Sequence, residues 1–157
     1  MKKLILTSFI LFMAFIEAKA QQVEYKIVTS VESIVPAGIG RSRIIDATGT
    51  KDFSELTSER SAENKKQNKS DRKAAKVDDF EETKLLNFFS MAGINFQNIA
   101  SNDALLSSKV NDLIAKGWDL AFVTSGVESD AGKGDGQGIF VTRFIFKRIL
   151  NNTSDSN

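Results

Sequence analysis

The sequence predicts an α+β fold in which a small three-stranded, mostly antiparallel sheet carries one or two helices packed on one face. Three observations predict it. Apolar segments of strand length occupy residues 23–32, 118–127 and 138–148. An amphipathic helical pattern precedes the second of these segments. A charged stretch separates the first segment from the others and predicts a helical or disordered insertion outside the sheet.

The first segment, VEYKIVTSVE, alternates between two kinds of residue, as a half-buried strand does. One side of that strand would carry Val23, Tyr25, Ile27, Thr29 and Val31, and the other Glu24, Lys26, Ser30 and Glu32. The only proline, Pro36, follows with two glycines and ends the strand. Residues 42–45 then predict a short return to extended structure.

Residues 51–84 form the insertion, and 18 of these 34 positions are charged, nine basic and nine acidic. The segment lacks glycine and proline and holds few apolar residues before Phe80. This composition predicts a solvated, fraying helix or a disordered insertion. A helix that binds a partner is the functional alternative.

Two helices are predicted after the insertion. In ETKLLNFFSMAG the apolar residues have near-helical spacing and Gly93 follows, which indicates a short helix on the core. The second helix would begin with a cap at Ser101 or Asn102 and end at Gly117. One face of it would carry Leu106, Val110, Leu113 and Ile114.

The last two strands are rich in aromatic and β-branched residues. The final one is apolar on both faces, which predicts a central position in the sheet. Its two faces would carry Phe140, Phe144 and Phe146 on one side, and Ile139, Val141 and Ile145 on the other. The first strand would therefore lie beside the last and antiparallel to it, and would run parallel to the second without touching it.

The N-terminus has the pattern of a secretory signal over residues 1–20. Lys2 and Lys3 precede an apolar run that is too short to span a bilayer, and Ala18-Lys19-Ala20 has the small-x-small pattern that signal peptidase cuts. We expect a single domain over residues 21–150 and a disordered tail over 151–157. The exported product would act in the periplasm or outside the cell, without a stable membrane span.

Composition excludes several kinds of chemistry. The chain has no histidine and no cysteine, so a Ser-His-Asp triad, a cysteine nucleophile and the usual zinc or haem ligands are absent. No cofactor is predicted. Signal cleavage would change the formal charge from +1 to −1, which argues against nucleic acid and anionic membranes as partners.

The motifs VEYKIV, AKGWDLAFV and TRFIFKR together resemble the small bacterial domain-of-unknown-function 4177 family. That family has a Y-E-Y-K strand, an E-G-W-E-L helix exit and a final F-K-R strand. The resemblance covers residues 23–31 and 103–148, and the long segment from 33 to 100 departs from it. It implies a compact sheet-and-helix module with no assigned activity, and no catalytic residue is carried over.

The segment GVESDAGKGDGQGIF offers a calcium site, with Glu128, Asp130 and Asp135 as oxygen ligands. Its spacing does not match an EF-hand loop, and a mobile hairpin connection is the simpler interpretation. Paired catalysis by Asp130 and Asp135 would need a rigid cleft, which a glycine-flanked loop does not provide.

The segment AGIGRSR offers an anion site. Backbone N–H groups near Gly38 and Gly40 would join Arg41 and Arg43, which share one side of an extended stretch. The alternative is that these arginines pair with carboxylates of the chain itself, such as Asp46 or those at 128–135.

The sequence therefore predicts an exported, non-enzymatic binding or interaction module of the bacterial envelope. Its partner would be another protein or an anionic envelope component. The alternative is a small hydrolase that uses the loop carboxylates or an arginine-lined anion pocket.

Overall fold

The computed structural model describes residues 21–35, 41–63, 73–90, 92–128 and 138–150. The predicted signal peptide, the tail, Gly38, Gly40, Asp130 and Asp135 lie outside the described residues. The elements in chain order are β1 (Gln22–Ser33), β2 (Arg43–Ala47), a 3₁₀-helix (Phe53–Leu56), β3 (Phe80–Lys84), β4 (Phe89–Ser90), β5 (Gly93–Ile94), α1 (Phe96–Ala115), β6 (Asp119–Glu128) and β7 (Ile139–Leu150).

Five strands form the main sheet in the order β3-β2-β1-β7-β6. The pairs β1–β2, β2–β3 and β6–β7 are antiparallel. Strands β1 and β7 also run in opposite directions, because Ile34, just after β1, donates to the carbonyl of Gly138, just before β7 (3.0 Å). Strands β4 and β5 form a separate two-stranded sheet.

The chain divides into two compact units. One comprises Tyr25–Lys147 and contains the buried core. Its core residues are Val28, Ile44, Leu85, Leu113, Trp118 and Phe146. The other unit comprises the residues before and after it, and there Arg148 Nη2 lies 2.6 Å from Glu24 Oε2.

The predicted fold class is wrong in its number of strands and helices. The described residues form five strands in the main sheet instead of three, a further two-stranded sheet, and one α-helix. The position of the last strand between the first and the second is confirmed. Strand β2 includes residues 43–45 of the extended segment predicted at 42–45, whereas β3 lies within the predicted insertion at 51–84.

The amino-acid composition of β3 does not predict a strand. Its sequence, FEETK, indicates a solvated segment, and every residue in it is exposed. Pairing with β2, from Arg43 opposite Lys84 to Ala47 opposite Phe80, holds the strand through its backbone without a buried side chain. Hydropathy does not report such a strand, since its stability comes from hydrogen bonds along one edge. Within the described part of the insertion, the only helix is the short 3₁₀ turn at Phe53–Leu56.

The short helix predicted within ETKLLNFFSMAG, residues 82–93, is also wrong, because the described residues of this segment form no helix. After β3 the chain continues without helix into β4 and β5, and Gly93 has φ +111° between Ala92 and Ile94. The N-cap of α1 is Asn95, whose side chain accepts from Asn98 N (3.2 Å), so the helix begins at Phe96. Gly117, with φ +82°, follows the helix end as predicted.

The buried side of β1 is the opposite of the one that its apolar residues suggest. Val28 and Ser30 are buried, whereas Tyr25 and Ile27 are 62% and 50% exposed. Because α1 is a single helix, it covers one face of the sheet, and the core lies on that side. The other face of the sheet therefore carries exposed apolar side chains.

Candidate interaction surface

A buried ion network joins helix to sheet on the covered face. Asp46 of β2 is 4% exposed. Its two carboxylate oxygens lie 2.5 Å from Lys26 Nζ and 2.8 Å from Lys109 Nζ of α1. Lys109 Nζ also lies 3.1 Å from Glu81 Oε2 of β3. The network thus connects α1 to three neighbouring strands.

The protonation states in this network are fixed by their partners. Burial by itself raises the pKa of Asp46, but hydrogen bonds and charge from Lys109 and Lys26 outweigh it and hold the pKa below its ordinary value. Burial likewise lowers the pKa of Lys109, and Asp46 and Glu81 raise it above its ordinary value. A lysine held protonated in this way is not an amine nucleophile or a general base at neutral pH.

A second polar cluster fixes the segment before α1. Asn102 is fully buried within the helix. Its amide accepts from Leu86 N (2.8 Å) and donates to Leu86 O (2.8 Å) and to Glu32 Oε1 (3.2 Å). The side chain therefore replaces the strand pairing that Leu86 lacks. Asn102 was predicted as a helix cap, and that interpretation is wrong.

The structure places one residue of the predicted anion site in an ion pair. Arg43 Nη1 lies 2.7 Å from Glu82 Oε1 of β3. The sequence alternative, pairing with a carboxylate of the chain itself, applies to Arg43, although the acid is neither Asp46 nor one from 128–135. Arg41 also has an interaction within the chain, while Gly38 and Gly40 lie outside the described residues.

Glu128 is the one residue of the predicted calcium site that is described, and it ends β6. Strands β1 and β7 lie between β6 and β2, so Glu128 is three strand spacings, roughly 14 Å, from the strand of Arg43. Among the described residues, no group of three acidic side chains is placed to hold a metal ion.

The helix leaves the β6 side of the sheet partly uncovered. An open groove of about 620 Å³ lies beside α1. It is lined by Asp103, Leu106, Ser107, Val110 and Asn111 of the helix and by Phe144 of β7. Beyond Phe144, the next strand is β6, where Val123 lies opposite Phe144 in the pairing.

Strand β6 is the most exposed of the described strands longer than five residues. Nine of its ten residues are exposed. The exposed apolar side chains are Leu120, Phe122, Val123 and Val127. Since β7 is its only partner among the described strands, its other edge presents unpaired backbone N–H and C=O groups. The predicted strand order already made this strand an edge, because the last strand was placed between it and the first. What the sequence did not indicate is that the uncharged run over residues 120–127 is largely exposed.

No protein-family model matches the chain, and no curated protein or solved structure matches it. Within the described ranges, no helix combines the length and the hydrophobicity needed to cross a membrane.

Proposed function

We propose that the protein is an exported, non-enzymatic interaction module of the bacterial envelope, and that β6 is its binding strand. The observation that carries the proposal is the long, exposed and uncharged edge of β6. Natural sheets usually protect such edges with charge, proline or very short strands. An edge of this kind is instead suited to pairing with a strand of another chain.

The chemistry of that edge favours a protein partner over an anionic envelope component. Backbone groups along β6 would provide the hydrogen bonds, and exposed apolar side chains on both faces would contact the added strand. By contrast, Arg43 of the suggested anion site already pairs with Glu82. Its guanidinium group thus binds a carboxylate of the same chain.

Export and family membership belong to the same proposal. The signal pattern of residues 1–20 supports delivery to the periplasm or beyond. The motifs that resemble the domain-of-unknown-function family lie in β1, at the exit of α1, and in β6 and β7. These elements include three adjacent strands of the sheet, which supports a common origin of that part of the fold.

Photocrosslinking in a Gram-negative host tests the binding strand. A photoreactive amino acid replaces Thr124 of β6 or, as the matched control, Thr83 of β3. Both are exposed threonines on edge strands of the same sheet. We expect many protein adducts from position 124 and few from position 83, both recovered from the envelope fraction. The intact mass of the recovered protein should be that of a chain that starts at Gln21.

Equal adduct yields at the two positions, or none at either, would contradict the assignment of β6. Recovery of uncleaved chain from the cytoplasm would contradict export. The two results are read from different measurements, adduct yield and intact mass, so either part of the proposal can fail alone.

A further inference from the structure

We infer that the strand that pairs with β6 is β6 of a second copy of this chain, in antiparallel orientation about a two-fold axis. The inference rests on the proposed use of β6 as a binding strand and names its partner. It is carried by a self-complementary pattern of side chains along the strand. In a two-fold interface each residue i meets a residue j while j meets i, so one strand must carry both halves of every contact.

The pairing with β7 shows which side chains share a face. Phe122, Thr124 and Gly126 lie opposite Ile145, Arg143 and Val141 and point to the face of the sheet that α1 does not cover. Val123 and Ser125 lie opposite Phe144 and Thr142 and point to the helix side. With a two-fold axis perpendicular to the sheet, the strands of the second copy would extend the sheet of the first. Each set of side chains would then stay on the same face of the joined sheet as its counterparts in the second copy.

A register centred on Thr124 matches large residues with small ones. It places Phe122 of each copy opposite Gly126 of the other. Phe122 is 68% exposed, and a Cβ placed on Gly126 would meet no described atom within 4 Å. The ring of one copy therefore has open space over the glycine of the other. A cross-strand aromatic side chain is a known means of covering a glycine in a sheet.

Charge also permits this pairing. Residues 120–127 carry no charged side chain, and the acids Asp119 and Glu128 lie at the two ends of the strand. In the register centred on Thr124, the regular pairing extends from residue 122 to residue 126, and the β-bulge between Leu120 and Phe122 ends it before Asp119. Like charges placed opposite each other destabilise a strand pair, and the paired residues 122–126 carry none.

The other edge of the sheet does not fit a second copy in this way. Strand β3 has five residues, three of them charged, and two of these are engaged in ion pairs with Arg43 and Lys109. Self-pairing through β3 would bring its glutamates close to those of the second copy. The inference is therefore specific to one edge.

The test uses the full chain expressed in a Gram-negative host and purified from the fraction that contains it. Sedimentation measures its oligomeric state. Because the chain has no cysteine, Thr124→Cys and its matched control Thr83→Cys each provide a single thiol. Directly opposed strand residues have Cα separations within the disulfide range, so we expect rapid oxidation to a disulfide dimer with Thr124→Cys and slow oxidation with Thr83→Cys.

Gly126→Val separates interface from fold. The added side chain has room within one copy but occupies the space assigned to Phe122 of the second. We expect an unchanged circular dichroism spectrum and a dimer dissociation constant that is higher by about tenfold or more. A wild-type monomer at all concentrations, equal oxidation of the two cysteine variants, or a Gly126→Val dimer as tight as wild type would each overturn the inference.

These outcomes are distinguishable from failure of the proposed function. A monomeric chain that forms adducts from position 124 with a different protein would sink self-pairing and leave the binding strand in place. If position 124 forms no adduct with a second copy or with a different protein, both self-pairing and the assignment of β6 as a binding strand are wrong.

Discussion

The two edges of the main sheet differ in length, charge and contacts. Strand β3 has five residues and β6 has ten. The two glutamates of β3 pair with Arg43 of the neighbouring strand and with Lys109 of α1. In β6 the charges are confined to the first and last residues, and the strand between them is exposed.

This difference shows how a small sheet protects one edge while leaving another available. A short charged strand ends the sheet at β3, because an added strand would have to displace ion pairs and place like charges together. Strand β6 lacks both obstacles. The stability of each edge depends on a different anchor, Trp118 for β6 and Asp46 for the β3 side, and the predictions below examine them in turn.

The largest effect is expected at Trp118, which precedes β6 and anchors it to the core. Its side chain is 7% exposed, and its backbone N–H donates to Leu113 O (3.1 Å) at the end of α1. Trp118→Ala removes a large buried ring, and we expect the free energy of unfolding to fall by about 3–5 kcal/mol. Urea denaturation measures it.

Phe122→Ala is the matched control on the same strand, since Phe122 is largely exposed. At a concentration where the protein is monomeric, we expect a change within about 0.5 kcal/mol. Equal losses for the two aromatic residues would show that β6 is buried in solution, and the contrast between the edges would disappear.

The next effect is expected at Asp46, which connects the β3 side of the sheet to α1. Asp46→Asn leaves Lys26 and Lys109 without the carboxylate that both contact, at side-chain exposures of 21% and 18%. Removing one partner of a largely buried ion pair costs about 3 kcal/mol. Glu81→Gln is the control, because Glu81 contacts the same Lys109 but its side chain is 66% exposed. We expect it to cost less than about 1 kcal/mol.

The stability that Asp46→Asn loses depends on pH, and the pKa shifts of Asp46 and Lys109 fix the direction of that dependence. The pKa of Asp46 in the folded protein lies below the ordinary value of 3.8, so its contribution is present above 3.8 and disappears as the pH falls through the lowered pKa. The pKa of Lys109 lies above 10.5, so its contribution is present below 10.5 and disappears as the pH rises through the raised pKa. The difference between wild type and Asp46→Asn should therefore be constant near neutrality and shrink in strong acid and again in strong base. A difference that grows in acid would contradict the assignment.

The sequence was sufficient for the elements whose side chains are buried in a regular pattern. Phe146 is in the core, and β7 lies between β1 and β6 as its two apolar faces predicted. The helix end at Gly117 was likewise predicted correctly, because a residue with positive φ after a helix favours glycine.

The rest could not be predicted because its stability comes from pairing and not from hydropathy. Strand β3 has no buried side chain, so its composition indicates solvent. In β1 the buried side is set by where α1 packs, and that depends on contacts distant in sequence, such as Asn102 with Glu32. The edge position of β6 was predicted with the strand order, but the exposure of its side chains depends on where α1 packs, which local sequence does not determine.

A smaller effect is expected where charge protects the β3 edge. Glu82→Gln removes the ion pair with Arg43, whose two side chains are 35% and 41% exposed. Exposed pairs of this kind contribute about 0.2–1 kcal/mol and are screened by salt. We expect a loss in that range at low ionic strength that becomes undetectable at high salt. A larger, salt-independent loss would mean that the pair holds β3 in the sheet and does not only guard its edge.

The smallest effect is expected from removing residues 51–76, most of the charged connection that leads to β3. The strands on either side are joined without it, because Thr48 N and Gly49 N both donate to Asp79 O, at 3.1 and 2.9 Å. Within the deleted stretch, the described 3₁₀-helix buries no residue. A shorter loop also lowers the entropic cost of closure, by about 0.6 kcal/mol for each halving of its length.

We therefore expect the deletion variant to melt within a few degrees of the parent, with β3 still paired to β2. Thermal denaturation measures the first expectation, and slow exchange of the amide hydrogens that join β2 and β3 measures the second. A variant that unfolds would show that the connection is docked on the protein and that the β3 edge is protected by more than its own charges.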